Sequence, residues 1–345
     1  MSIKRPAAEK DGAMRRKAAF FYDYLASDGD VYGQGRRERI ASLAEMYPHV
    51  VHAGNFDQHA PKLGDIEAIF ATWGMIRFED RHFKAMPKLQ AVFYSAGNVK
   101  AFAEPLIQRG VILVSAWEAN AIPVAEMCLS QILLSLRGYF RSVRQYRQLR
   151  SFDAKKFHRT GVNGETVGMI GMGKIGTRLT RLLADYPLKV IAHDPFLTAE
   201  RAAALKVERV SLYQVFERAL VVCNHIPDIA TTKGVLGARQ FRAMRDGATF
   251  INTGRGAQVV EDDLVAALRA RPDLTALVDV TWPEPPPPDS ALWQLPNLVI
   301  SPHIGGTVGD EAVRLADLAI AEYEAWAAGR PLRHQVTAEV LATMG

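Results

Sequence analysis

Short apolar runs alternate along the chain with longer segments of helical period. In the first third the runs are Ala18–Tyr22, Val50–His52, Ala68–Thr72, Ala91–Ser95 and Val111–Ser115. In the remainder they are Thr166–Ile170, Lys189–His193, Leu220–Cys223, Ala248–Asn252, Leu277–Val280 and Leu298–Ser301. Strands that are apolar throughout are covered on both faces, as in parallel sheets flanked by helices. The pattern predicts an α/β protein with two doubly wound parallel sheets rather than a sandwich or a bundle.

The boundary between the two falls near Ser115–Asn120. The segment Ile122–Leu136 reads as a helix with Pro123 in its first turn, where a missing amide donor is tolerated. It is apolar on most faces and must be buried, in its own domain or against a second subunit. Arg141, Arg144, Arg147 and Arg150 follow at a spacing of three. With no aromatic platform beside them they read as a solvated face or as intersubunit ion pairs, not a nucleic-acid groove. The run Pro283–Pro288, with Glu284 its one non-proline residue, can only be a loop.

Composition changes this picture little. The 345 residues suit two domains, and 48% hydrophobic with 23% charged residues is globular. The net charge of +5 is concentrated in residues 1–17, where Lys4, Arg5, Lys10, Arg15, Arg16 and Lys17 face Glu9 and Asp11. That leader reads as flexible and solvated, without the apolar stretch of a secretory signal. The basic balance therefore does not argue for a nucleic-acid partner. No uninterrupted apolar run reaches about 18 residues, so no membrane span is expected. Cys128 and Cys223 form no CxxC pair, which argues against a metal or disulfide scaffold and suits a reducing, cytoplasmic compartment.

The first candidate chemistry is a dinucleotide turn. The run Thr166–Ile170 leads into Gly171-Met-Gly173-Lys174-Ile175-Gly176, and an amphipathic helix follows. Gly171 allows the tight turn, Gly173 admits backbone to a pyrophosphate, and Gly176 lets helix approach strand. The helix N-terminus offers amides and partial positive charge to phosphate. Asp194 ends the next strand and accepts from ribose hydroxyls while repelling a 2′-phosphate, so NAD is favoured over NADP.

Three later segments carry unusual polar content at strand ends. They are Asn252-Thr253-Gly254-Arg255-Gly256, Asp279 through Glu284-Pro285, and Pro302-His303-Ile304-Gly305-Gly306. Ligands in open α/β sheets bind beyond the carboxyl ends of strands, so an arginine, a glutamate and a histidine there can converge. At these residues the chain resembles the D-isomer-specific 2-hydroxyacid dehydrogenase family. The resemblance runs over about residues 65–335 and also covers the glycine turn, Asp194, the His225-Ile-Pro227 turn and Asn120…Glu126.

The resemblance implies a Rossmann NAD-binding domain inserted into a flavodoxin-like substrate domain. The latter would comprise residues 18–118 and 307–345, with 119–306 binding the cofactor. His303 is implied as general acid/base, Glu284 as the carboxylate that orients it, and Arg255 as the substrate anchor. An imidazole exchanges a proton near neutrality; a guanidinium fork holds a carboxylate or polarises a carbonyl. The loops implied to face NAD(H) carry His225, Pro227, Thr232, Thr253, Gly254, Arg255, Asp279, His303, Gly305 and Gly306. The substrate side is Ser95, Ala96, Gly97 and Asn98, whose turn can present amides to a carboxylate, with Arg77 as a further cation. Gly254 stands where the family often has alanine, which should only loosen the turn.

The expected function is hydride transfer between NAD(H) and a small 2-hydroxy or 2-oxo acid, in a homodimer formed through residues 120–150. Two alternatives are a dehydrogenase for a phosphorylated acid such as 3-phosphoglycerate, and an NAD(H)-sensing binding protein of the corepressor kind.

Overall fold

In the computed structural model, residues 15–23, 30–157 and 161–344 are described. The chain groups into two compact units, residues 1–116 with 309–338, and 117–308 with 339–345. The leader expected over 1–17 lies outside the described residues up to 14. Lys17 instead opens a strand, while Arg16 pairs with Glu67 at 2.8 Å and lies over the Trp326 ring.

The first unit holds strands β1 (Lys17–Phe21), β2 (Glu45–Val51), β3 (Ala68–Ala71), β4 (Ala91–Tyr94) and β5 (Ile112–Ser115). They are all parallel, in the order β2-β1-β3-β4-β5. This is the flavodoxin-like order. Every residue of β3 and β4 is buried, as their unbroken apolar runs require. β2 is longer than the Val50–His52 run suggested. It lies at the edge of the sheet with most residues partly or fully exposed, so polar residues and Pro48 are tolerated in it. The helix Val313–Ala327 lays Tyr323 against Phe70 and Phe93 of this sheet.

The second unit holds β6 (Thr166–Ile170), β7 (Lys189–His193), β8 (Glu208–Arg209), β9 (Val221–Asn224), β10 (Thr249–Asn252), β11 (Thr275–Val278) and β12 (Leu298–Ile300). The order β12-β11-β10-β9-β6-β7-β8, all parallel, is the Rossmann arrangement extended by one strand. β8 has two exposed residues and so left no apolar run to read.

Two sequence readings are corrected here. The long helix begins at Trp117 rather than Ile122, so Pro123 lies inside it. By length and composition this helix could cross a membrane, but half of it is buried against the helix Lys174–Leu183, β9 and β10. It is a core helix, buried through Val124, Ala125, Cys128, Ile132 and Leu136. The arginine stripe on the helix Tyr139–Leu149 is not uniformly solvated either. Arg144 donates to the Pro272 carbonyl at 3.0 Å, and its burial lowers its pKa from the usual value. Arg147 and Arg150 remain exposed.

Candidate active site

β6 runs into the glycine turn and the helix Lys174–Leu183. Gly171 takes a φ of +90°, and a Cβ there would lie 2.8 Å from the His225 carbonyl. A Cβ on Gly176 would sit 2.2 Å from the Gly171 carbonyl oxygen. Neither position tolerates a side chain, whereas a Cβ on Gly173 would meet nothing within 4 Å. No side chain caps the helix, so its first-turn amides keep their donor capacity beside that open face. These features fit a bound pyrophosphate. Asp194 Oδ2 accepts from the Met172 amide at 2.6 Å and Oδ1 from Phe196 at 2.7 Å. The carboxylate thus stands at the turn itself. The Lys174 ammonium pairs with Glu118 at 2.8 Å, leaving the main chains of Lys174 and Ile175 to face a ligand.

Arg255, Glu284 and His303 follow β10, β11 and β12, three adjacent parallel strands, and so occupy one edge of one sheet. Neighbouring strands lie about 4.8 Å apart, so the loops that follow them leave the sheet side by side. His303 Nδ1 meets Glu284 Oε1 at 2.8 Å. The loops of Arg255 and Glu284 touch through backbone, since a Cβ on Gly256 would fall 2.0 Å from the Thr281 carbonyl carbon. His303 has a φ of +55°, in the left-handed region that few non-glycine residues adopt. Asp279 holds it there. The buried carboxylate accepts from Ser301 Oγ at 2.5 Å, Ile304 N at 3.0 Å and Gly305 N at 2.7 Å, while its carbonyl accepts from His303 N at 3.0 Å. Gly305 has no room for a Cβ beside that carboxylate, and Gly306 lies close to Asn120. Asp279 thus organises the loop that presents the imidazole.

The side chains of His225 and Thr253 turn inward. Thr253 Oγ1 lies 3.1 Å from His225 Nδ1 and 3.4 Å from the buried Cys128 Sγ. Thr232 Oγ1 donates to the carbonyls of Pro227 and Ile229, closing their own loop. His225 Nε2 is buried with no hydrogen-bond partner among the described residues. Burial lowers the His225 pKa to about 4, whereas an unfolded histidine titrates near 6.5. Between those values the unfolded chain carries the extra proton, so stability is full above pH ~6.5 and falls as pH drops toward 4. The low-pH limit of this loss is about 3 kcal/mol. His225→Asn should flatten that part of a Tm-against-pH curve, and an unchanged slope would refute the assignment.

In the first unit, the turn after β4 has its carbonyls bound. Ser95 O accepts from Thr72 Oγ1 at 2.9 Å, Ala96 O from the Ala116 amide at 3.0 Å, and Gly97 O from Ser115 Oγ at 2.6 Å. The buried Tyr32 hydroxyl lies 3.1 Å from Ser95 Oγ. A turn whose carbonyls are bound in this way can offer its amides to an anion. Arg77, in the loop after the adjacent β3, is exposed and has no ion-pair partner among the described residues.

Sequence reasoning missed Tyr32, Thr72 and Ser115 here, and Asn224, Gln258 and Ser301 in the second unit. The available signal was a buried polar residue closing a mostly apolar strand, asparagine in β9 and β10 and serine in β5.

Comparison with known proteins bears on this geometry. A family model described as "D-isomer specific 2-hydroxyacid dehydrogenase, NAD binding domain" matches residues 129–305. A D-3-phosphoglycerate dehydrogenase of Archaeoglobus fulgidus is 31% identical over 229 residues, 66% of this chain and 43% of that protein. The chain thus spans less than half of that relative's length. The putative 2-hydroxyacid dehydrogenase YoaD of Bacillus subtilis is 30% identical over 71% of this chain and 73% of its own. In fold, the chain is similar to a phosphoglycerate oxidoreductase from Rhizobium etli, with a TM-score of 0.78, 22% identity, and coverage of 95% of this chain and 100% of that one.

Proposed function

Because this chain belongs to the D-isomer specific 2-hydroxyacid dehydrogenase family, we propose that it passes hydride between NAD(H) and C2 of a small 2-hydroxy or 2-oxo acid, with D configuration. The observation that carries the reading is the His303–Glu284 contact of 2.8 Å at the same sheet edge as Arg255. Bound NADH supplies the hydride. His303 delivers the proton to the carbonyl oxygen, and Glu284 on its Nδ1 sets the tautomer that leaves Nε2 facing substrate. Arg255 binds the carboxylate and offsets charge developing on the reacting oxygen. Within the first unit, the Ser95–Asn98 turn and the Arg77 guanidinium are the groups this reading assigns to binding an acid's anion.

The glycine turn would hold the pyrophosphate, and Asp194 the adenosine ribose, which favours NAD over NADP. Arg201 tempers that preference. Its guanidinium donates to the Met172 carbonyl and, at 2.7 Å, to Thr177 Oγ1, on the same turn as Asp194. A cation there is what a 2′-phosphate needs. The exposed side chains of Leu134, Tyr139, Val143, Tyr146, Leu149 and Phe152 support a homodimer through this region. The same reading assigns the protein no nucleic-acid or membrane partner and, as a metabolic oxidoreductase, a cytoplasmic location.

A 3-phosphoglycerate dehydrogenase is the second reading, favoured by the relatives' names and by Arg77, which has no ion-pair partner among the described residues. The test is oxidation of NADH and of NADPH with glyoxylate, hydroxypyruvate, pyruvate, phenylpyruvate and 3-phosphohydroxypyruvate, with sedimentation of the same sample. Turnover of a non-phosphorylated acid with NADH by a dimer is expected. NADH binding without turnover of any acid would replace the enzyme reading by that of an NAD(H)-sensing binding protein, and a monomer would remove the dimer.

A further inference from the structure

We infer that Asn224 and Gln258 are positioning residues for Arg255, and that glycine stands at 254 because their amides fill the space a Cβ would need. The inference rests on the reading of Arg255 as substrate anchor.

Asn224, Asn252 and Gln258 are all buried. Asn224 and Asn252 are register partners at the ends of β9 and β10. Asn224 Nδ2 donates to Asn252 Oδ1 at 2.9 Å and to Gln258 Oε1 at 2.6 Å, and its own Oδ1 accepts from Ile226 N at 3.3 Å. Gln258 Nε2 donates to the carbonyls of Ile226 at 2.7 Å and Pro227 at 3.0 Å. Every amide nitrogen and oxygen of the three side chains therefore has a partner, the condition under which a buried polar network fixes one geometry.

What the network fixes is Arg255. Its main-chain N–H donates to Gln258 Oε1 at 3.1 Å, and its carbonyl accepts from Asn252 Nδ2 at 3.4 Å. The preceding amide, of Gly254, donates to Asn252 Oδ1 at 3.1 Å. The Arg255 Nη1 in turn donates to the Gly254 carbonyl at 2.7 Å, which leaves Nε and Nη2 of the fork for a ligand. The guanidinium is thus referenced to the strand ends through two side-chain amides. A Cβ on Gly254 would lie 2.8 Å from Gln258 Oε1 and 2.9 Å from Asn224 Nδ2. Glycine at 254 does more than loosen the turn, because alanine would press on Gln258, which accepts from the Arg255 amide, and on Asn224, which donates to Gln258.

The network also ties the Arg255 loop to the Ile226–Pro227 turn, whose neighbour His225 abuts Gly171. Gly254→Ala keeps every polar group and adds one methyl; Gln258→Leu keeps the bulk and removes the bonds. Each is compared with the wild-type protein for kcat and KM on the best 2-oxo acid, the NADH dissociation constant by fluorescence, and Tm. A guanidinium displaced by about 1 Å loses on the order of a hundredfold in kcat/KM. That loss is expected in both variants and should exceed any change in NADH affinity, because Gly254 and the Pro227 turn border the cofactor loops. Because both act on one contact, Gly254→Ala combined with Gln258→Leu should cost little more than either alone. Unchanged kcat/KM in the folded Gly254→Ala variant, or additive losses in the double variant, would overturn the inference. So would a fall in NADH affinity that matches the fall in kcat/KM, which marks general disruption. Wild-type protein that turns over no 2-oxo acid removes the reading of Arg255, and this inference with it.

Discussion

Replacing His303 by asparagine is expected to lower kcat by about 10²–10⁴-fold, the contribution of a positioned general acid, while NADH binds as before. Asparagine is the informative choice because His303 sits at a φ of +55°, which asparagine adopts more readily than most residues. The loop is held by Asp279 through main-chain amides that the substitution leaves in place. The partners of the His303–Glu284 contact are 47% and 37% exposed, so the contact itself contributes little to folding. Tm should therefore barely move, and a large kinetic loss would report chemistry rather than unfolding. Stopped-flow oxidation of prebound NADH makes the measurement. Turnover within a few-fold of wild type would remove His303 from the reaction.

What the sequence made legible follows from which residues must be apolar. The strands that are covered on both faces appeared as unbroken apolar runs, and nearly all were found where those runs lie. The failures have the opposite cause. β2 and β8 lie at sheet edges and are largely exposed, so their apolar signal is short or missing. At the site, the motifs told which residue types end the strands, but not which way each side chain points. Thr253 and His225 sit in cofactor-type motifs, yet their side chains meet each other in the interior. Asp279 is equally suggestive by type and is occupied with the loop of His303. Asn224 and Gln258 lie 34 residues apart, and only the pairing of β9 with β10 makes them neighbours. Gly254 is legible as a departure from a family pattern, but its cause needs the atoms around it.

Arg255→Ala is expected to lower kcat/KM for the 2-oxo acid by about 10²–10³-fold, the loss seen when a preorganised donor to developing charge is removed. The reason lies in how much of this residue is already committed. One nitrogen of the fork is bound to the Gly254 carbonyl, and no acidic side chain pairs with the rest among the described residues. A half-buried guanidinium without a carboxylate keeps most of its donors for a ligand. Lysine at 255 would restore the charge but not the planar fork, so Arg255→Lys should recover only part of the loss. The split between parameters separates two roles. If Arg255 holds the substrate, KM for the acid rises and the NADH dissociation constant stays level. If it holds a cofactor phosphate instead, NADH affinity falls in step with kcat/KM, and the anchor must be sought elsewhere, with Arg77 the first cation to test.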